Sequence, residues 1–427
     1  MSRDDPLPRD ERLRPAPPRP EWSRPVAAAW IGSRTLLLGT LLVTAAVHGW
    51  SAVGVLGNWD VAHFARIARQ GYAPDHREMA FFPGLPLLMR LGSSIGLPPE
   101  ITGMVLSLVG SALAAAALLR LAGPEGTTDR RAGTWPAGTW SAGRWSAGTW
   151  SAVAWLIAPT AVFTVVGYTE ALFCAAAFWA WERARADRWA TAALLAAFAA
   201  TLRVSGLFLI GALAVLALTW PAARGLDLVR RMRAAAGRAV WLLVPLAVLA
   251  AYVVYLWAVT GSWTAWFAAQ QAGWQRTFTW PWDSVRATLT AVRPGGYADA
   301  NGWGWMFRYE LVSLTVGLLT TGWMLCRRRW AEAAWVGVQL LAFSFSPWLM
   351  SVNRAVLLWF PTWAIVGELA ARATGTGGTA VVATGAGGTA TGTRRRAGWL
   401  LVGLAATVSV GLMVWWAWMF ATGQWAS

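Results

Sequence analysis

Apolar runs of about the length needed to cross a bilayer recur along this chain from roughly residue 35 to residue 420, broken by short arginine-bearing connections. Crossing the hydrocarbon core takes about 20 apolar residues. Inside it every backbone N–H and C=O has to find an internal partner, which continuous apolar runs achieve as helices. On that template spans are expected near 35–56, 101–121, 151–167, 169–182, 189–202, 206–220, 239–259, 310–326, 333–349, 355–371 and 398–420, about 11 in all. Only 13% of the residues are charged and 56% are hydrophobic, whereas a soluble domain carries about 25% charged residues. The expected fold class is an all-α polytopic membrane protein, placed multi-pass in the cell membrane.

The charge distribution gives the expected sidedness. The chain has no lysine, so its 36 basic residues are all arginine, and the net charge is +16. The absence of lysine, with abundant Ala, Gly and Trp, suggests a high-GC genome. Arginines gather in cytoplasmic loops. With the N-terminus inside, 26 of the 36 fall on the cytoplasmic side. Because the charge is scattered between apolar runs and not clustered on one solvated face, no nucleic-acid partner is expected. The same orientation brings Asp60, Glu170, Arg203, the 260–309 loop and Arg354 to the extracytoplasmic face.

Several segments read as linkers or low-complexity insertions. Residues 1–34 are Arg/Pro-rich and expected to stay unfolded. The run at 35–56 lacks a small-residue cleavage site and reads as a signal anchor. Residues 132–151 repeat with a period of five, overlapping a low-complexity cytoplasmic loop at 122–150; five is neither a helical nor a strand period. The Gly/Thr-rich 372–397 stretch reads as a flexible cytoplasmic linker before a final span in 398–427. Cys174 and Cys326 lie in separate apolar segments, so no disulfide follows.

The polar residues left on the outer face form an ordered pattern. It comprises Trp59-Asp60-x-x-His63, Gly71-Tyr72, Ala80-Phe81-Phe82-Pro83, Gly167-Tyr168-Thr169-Glu170 and Thr201-Leu202-Arg203. Further on come Gln270-x-x-x-Trp274-x-Arg276 and Asn353-Arg354 before Phe360-Pro361. The run from Trp189 to Trp220 is too long for one span. Splitting it into a hairpin moves Arg203 from the bilayer centre, where a charge costs roughly 2.5–3.5 kcal/mol, to a surface turn. In helical geometry Asp60 and His63, three apart, share a face.

In that order, over about 34–371, the motifs resemble those of the PIG-V family, membrane mannosyltransferases related to the enzyme that adds the second mannose in GPI-anchor synthesis. One position departs from the pattern: Ala355 stands where an aromatic residue is expected. The resemblance implies a GT-C-type bundle with an extracytoplasmic active site. It implies a polyprenyl-phosphate-linked mannose donor, and inversion of that β-linked donor to an α-mannoside. The acceptor class stays open among a glycolipid, a polysaccharide and a glycoprotein.

Chemistry narrows the roles. Transfer from a lipid phosphate needs a carboxylate to take the acceptor's hydroxyl proton, help typically worth 10²–10⁴-fold. It also needs cations to hold the departing phosphate, which arginine does with two parallel bonds. Asp60 is the expected base, its alternative being a helix N-cap. His63 either orients Asp60, contacts phosphate, or is a hydrogen-bonded interfacial histidine. Glu170 serves the site or pairs with Arg203. Arg203 and Arg354 are expected phosphate ligands, or snorkelling anchors. Trp59, Gln270, Trp274 and Arg276 complete the expected substrate-binding set. Most of the remaining loop tryptophans, Trp263, Trp266, Trp280 and Trp282 among them, fit an interfacial belt. No ligand spacing supports a metal, though a divalent ion is compatible with the chemistry. A transporter or flippase of a lipid-linked sugar is the competing class. It is disfavoured because the halves show no internal repeat.

Overall fold

The computed structural model describes residues 24–72, 75–122, 145–219, 227–376 and 388–424. Among these residues the regular structure is entirely helical. Its first half runs α1 (Arg24–His48), α2 (Ala52–Leu56), α3 (Asp60–Gln70), α4 (Gly84–Ser93), α5 (Pro99–Leu121), α6 (Ala147–Leu156), α7 (Glu170–Arg185), α8 (Trp189–Leu202) and α9 (Ser205–Leu218). It continues through α10 (Leu228–Ala239), α11 (Leu243–Thr260), α12 (Ala265–Trp274), α13 (Pro281–Ala291), α14 (Tyr297–Ala300), α15 (Gly304–Cys326), α16 (Trp330–Ser344), α17 (Val352–Ala355), α18 (Phe360–Ala373) and α19 (Gly388–Ala421). Five helical stretches are long and apolar enough to cross a membrane, or six when the bent pair α17–α18 is taken as one. The chain is thus a multi-pass α-helical membrane protein.

At the centre lies α7, with 13 of its 16 residues buried. Between its charged ends, from Ala171 to Trp181, its sequence is apolar on every side, the pattern of a helix enclosed by others. α5 packs along it through a small-residue surface. A Cβ on Gly110 would lie 2.9 Å from the carbonyl carbon of Ala171, and one on Gly103 would lie 2.8 Å from the Cα of Gly167. Small residues of this kind let two helix backbones close without side chains between them. Ser107 on α5 then donates to the carbonyl of Val166 at 2.7 Å, which holds the turn leading into α7.

Several sequence boundaries are corrected. The first span begins at Arg24, so residues 24–34 are helical and not part of an unfolded tail. It ends at His48, before Gly49 with φ +69°; residues 1–23 lie outside the described residues. The expected span at 151–167 is broken. α6 stops at Leu156, because Pro159 cannot continue the helix, and a buried 3₁₀ turn at Ala161–Thr164 follows. Arg34, buried inside the bundle, makes the break tolerable. It donates to the carbonyl of Leu156 at 2.9 Å and to the Thr164 hydroxyl at 2.6 Å, so an orphan helix-end carbonyl is satisfied away from water. The expected span at 355–371 is likewise bent, by 71° between Val352–Leu358 and Phe360–Ala373. The linker expected over 372–397 is helical up to Ala373 and again from Gly388. The low-complexity segment 123–144 and residues 377–387 lie outside the described residues.

Candidate active site

The site begins at the start of α3. Trp59 has φ +59° and ψ −131°, a region almost closed to residues with a Cβ and costly by about 1–3 kcal/mol. Strain of this size persists where the surroundings over-determine the chain. Asp60 follows as the first helical residue, and Trp59, not Asp60, occupies the N-cap position without a side-chain capping bond. The N-cap alternative for Asp60 is therefore set aside. Its backbone N–H instead donates to the Tyr168 hydroxyl at 3.2 Å.

A chain of alternating charges runs from Asp60 into the bundle. Arg354 Nη1 donates to Asp60 Oδ2 at 2.8 Å, and Arg354 Nε lies 3.4 Å from Glu170 Oε1. Arg203 Nη1 lies 2.8 Å from the same Glu170 oxygen. Both contacts on that oxygen are ion pairs by distance, without aligned hydrogen-bond geometry. Glu170 is only 1% exposed, and the Arg354 and Arg203 side chains 12% and 14%. Phe163 and Tyr168 face the Arg354 guanidinium at 5.3 and 5.1 Å. Asp60 is the open end of the chain: 22% of its side chain is exposed, and Oδ2 alone is engaged by Arg354.

Each member is placed by a local device. Glu170 opens α7, whose entry turn α5 holds through Ser107. Arg203 sits in the short turn between α8 and α9, where the split of the Trp189–Trp220 run puts it. Arg354 lies on α17, a single turn whose N-terminal donors are taken by Glu310. That fully buried carboxylate accepts the N–H groups of Ser351, Val352 and Asn353 at 2.8, 2.7 and 3.1 Å. Ser351 enters the turn at φ +66°. A carboxylate on three helix N-terminal donors is a favourable arrangement for both, and it fixes where Arg354 points. Glu310 was missed in the sequence because a lone glutamate at the edge of an apolar run carries no signal of what it will cap.

His63 does not reach Asp60. Its Nδ1 lies 3.1 Å from both carboxylate oxygens of Glu78, and its ring stacks on Phe81 at 5.0 Å. Arg66 also binds Glu78, which is 1% exposed. Of the three alternatives for His63, this geometry fits the hydrogen-bonded histidine and not an orienter of Asp60: on α3 it belongs to a second charged group beside the first. Glu78 was also missed, although a carboxylate in a stretch expected to face outward was the available clue. Trp274 packs edge-on against Phe81 at 5.1 Å and tilted to His63 at 5.7 Å. Gln270 and Trp266 donate to the Ala80 carbonyl at 3.4 and 3.2 Å. Trp59 is exposed. Trp263 stacks on Trp257, and Trp280 on Trp282, all of them exposed.

Arg276 differs from the other two arginines. A left-handed turn at Gln275, φ +53°, ends α12 and delivers it. Its Nε is buried without a hydrogen-bond partner, and its side chain enters no ion pair among the described residues. Burial first, then the charge of Arg354, lowers its guanidinium to about 10, while Asp60 and Glu310 oppose that shift. It remains cationic near neutral pH. The Asp60–Arg354–Glu170–Arg203 chain balances internally, which leaves Arg276 as one surplus positive charge close to it. Among the described residues no group of three His, Cys, Asp or Glu side chains is placed to hold a metal ion.

No family model matches the chain. Over 169 residues it is 32% identical to the GPI alpha-1,6-mannosyltransferase 2 of Mus musculus and of Homo sapiens, covering 37% of this chain and 31% of each relative. The chain thus matches about a third of the length of these curated relatives. The similarity is to proteins of the family that the ordered motifs resemble. Among solved structures, ArnT from Cupriavidus metallidurans bound to undecaprenyl phosphate aligns with a TM-score of 0.43 and 15% identity, covering 93% of this chain and 76% of that one.

Proposed function

We propose that this protein is a membrane mannosyltransferase of the GT-C type, moving mannose from a polyprenyl-phosphate-linked donor to an extracytoplasmic acceptor. The similarity over 169 residues to GPI alpha-1,6-mannosyltransferase 2 supports the reaction class. The observation that carries the reading is the contrast between a charge-balanced network ending at Asp60 and the unpartnered Arg276 beside it. A base and an anion holder next to each other are what transfer from a sugar phosphate requires.

In this reading the acceptor hydroxyl oxygen attacks the anomeric carbon from the face opposite the phosphate. The new C–O bond forms as the bond to the phosphate oxygen breaks, and the configuration inverts. The hydroxyl proton passes to Asp60, and the polyprenyl phosphate leaves with the bonding electron pair. Arg276 supplies the guanidinium for that phosphate, and the donors of Arg354 not committed to Asp60 add to it. Arg203 and Glu170 keep Arg354 in place as positioning residues. Gln270 and Trp274 brace the wall at Ala80 and Phe81 on which His63 rests. A divalent metal is not needed by this scheme, since the arginines provide the positive charge.

The decisive assay incubates purified protein in membranes with labelled polyprenyl-phosphate mannose. Label appearing on an acceptor supports transfer; label crossing the membrane still attached to its lipid would instead make the protein a flippase. The outward orientation rests on the arginine distribution. Single cysteines placed in the 277–280 segment should react with an impermeant thiol reagent in intact cells. Reaction only after lysis would reverse the orientation.

A further inference from the structure

Beside α3, on the face turned away from the bundle, the structure holds a cleft of about 570 Å³. Its polar walls are Arg66, Arg69 and Gln70 of α3 and Glu100 of α5, with Ser51 and Gly57 near the short helix α2. Nothing in the scheme above uses it. We infer that this cleft binds a hydroxyl-rich, uncharged sugar headgroup, the non-reacting part of the acceptor; the inference rests on the glycosyltransferase reading.

Three observations select that chemistry. Arg69 donates to Glu100 Oε1 at 2.7 Å, yet Glu100 Oε2 is buried with no partner. A carboxylate oxygen in this state lacks a donor, and a sugar hydroxyl that enters the wall covering it supplies one. Secondly, the charges cancel. Arg66 is matched by Glu78 and Arg69 by Glu100, so the cleft has little net attraction for phosphate. Each guanidinium has nonetheless committed only one of its five N–H donors, with the Arg66 and Arg69 side chains 44% and 52% exposed. Exposed donors with an unpaired acceptor buried just behind them suit vicinal hydroxyls.

The third observation is position. Arg66 is six residues along α3 from Asp60, about 9 Å at the helical rise. The near end of the cleft at Ala62 approaches Asp60, but a group held by the donors of Arg66 and Arg69 sits farther along α3, so it is placed as the remote part of a molecule whose reacting hydroxyl lies at Asp60. Arg66 also shares Glu78 with His63, so the cleft and the Asp60 end of α3 are linked by one charged group.

The test uses the full chain in phosphatidylcholine nanodiscs and tritiated octyl α-D-mannopyranoside as the probe. Ala62 lines the cleft and is exposed, so Ala62→Trp fills it without removing a hydrogen bond; Glu100→Gln removes the free carboxylate oxygen. Saturable binding that weakens at least tenfold in both variants, with the melting temperature of Ala62→Trp unchanged and no displacement by inorganic phosphate, is the expected result. No saturable binding to the wild type, equal binding to Ala62→Trp, or displacement by phosphate would overturn the assignment. Donor turnover on the same samples separates the two readings. Cleft-dependent binding without transfer removes the transferase and keeps the cleft. Transfer whose acceptor KM is unmoved by Ala62→Trp removes the cleft and keeps the transferase.

Discussion

Replacing Glu170 with glutamine should destabilise this protein more than any single change at Asp60. Glu170 is 1% exposed and lies 2.8 Å from Arg203 and 3.4 Å from Arg354. At an effective dielectric of about 20, a pair at 2.8 Å has a gross attraction of about 6 kcal/mol. Desolvation offsets part of it, yet removing one partner leaves the other buried and unpaired, at a cost of about 3–5 kcal/mol. Arg354 keeps Asp60 at 2.8 Å, so Arg203 bears most of the loss. With an unfolding entropy of about 2.1 cal/mol/K per residue over 427 residues, about 0.9 kcal/mol/K in all, the melting temperature should fall by roughly 3–6 °C. Intrinsic fluorescence of the 33 tryptophans during a thermal ramp in detergent reports it. Arg203→Ala should cost a similar amount, and the double variant should recover at least about 1.5 kcal/mol relative to the sum of the single losses. Single losses below about 1 kcal/mol, or strict additivity, would refute the claim that this pair is a buried structural unit.

Asp60→Asn should reduce transfer by 10² or more while melting close to the wild type, since the side chain is 22% exposed and the amide still accepts from Arg354; near-normal turnover in labelled-donor assays would remove Asp60 as the base. Arg276→Ala should raise the donor KM at least tenfold and leave the melting temperature unchanged or higher, because it removes a guanidinium that enters no ion pair among the described residues and whose Nε has no hydrogen-bond partner there. Lysine there should restore only part of donor use, as a point charge replaces a fork; an unchanged KM would leave the phosphate without its proposed holder. Glu310→Ala strips three N–H groups of their acceptor. It should lower both stability, by about 3 kcal/mol or more, and kcat through the displaced Arg354, and a kcat equal to the wild type in a destabilised protein would show that the α17 turn does not depend on it.

Hydropathy was enough to place this chain among helical membrane proteins, because a bilayer leaves continuous apolar runs no other local solution. It also placed Arg203 at a turn, since a charge in the middle of an overlong run forces the run to fold back. Asp60 was visible for a similar reason: an acidic group directly after the first apolar run has few places to go. Beyond that, only the tertiary structure decided. Asp60 and Arg354 are 294 residues apart, and nothing local to either says that they meet. Arg203, Arg276 and Arg354 are alike as residue types, and only packing distinguishes the paired ones from Arg276. His63 shares a helix with Asp60 yet is claimed by Glu78, because the turn at His76–Ala80 brings that carboxylate within 3.1 Å of the imidazole. The breaks after Leu156 and at Trp359 escaped a 20-residue template. Length and apolarity describe a helix against lipid, whereas an interrupted one survives where a neighbour such as Arg34 satisfies its loose carbonyl.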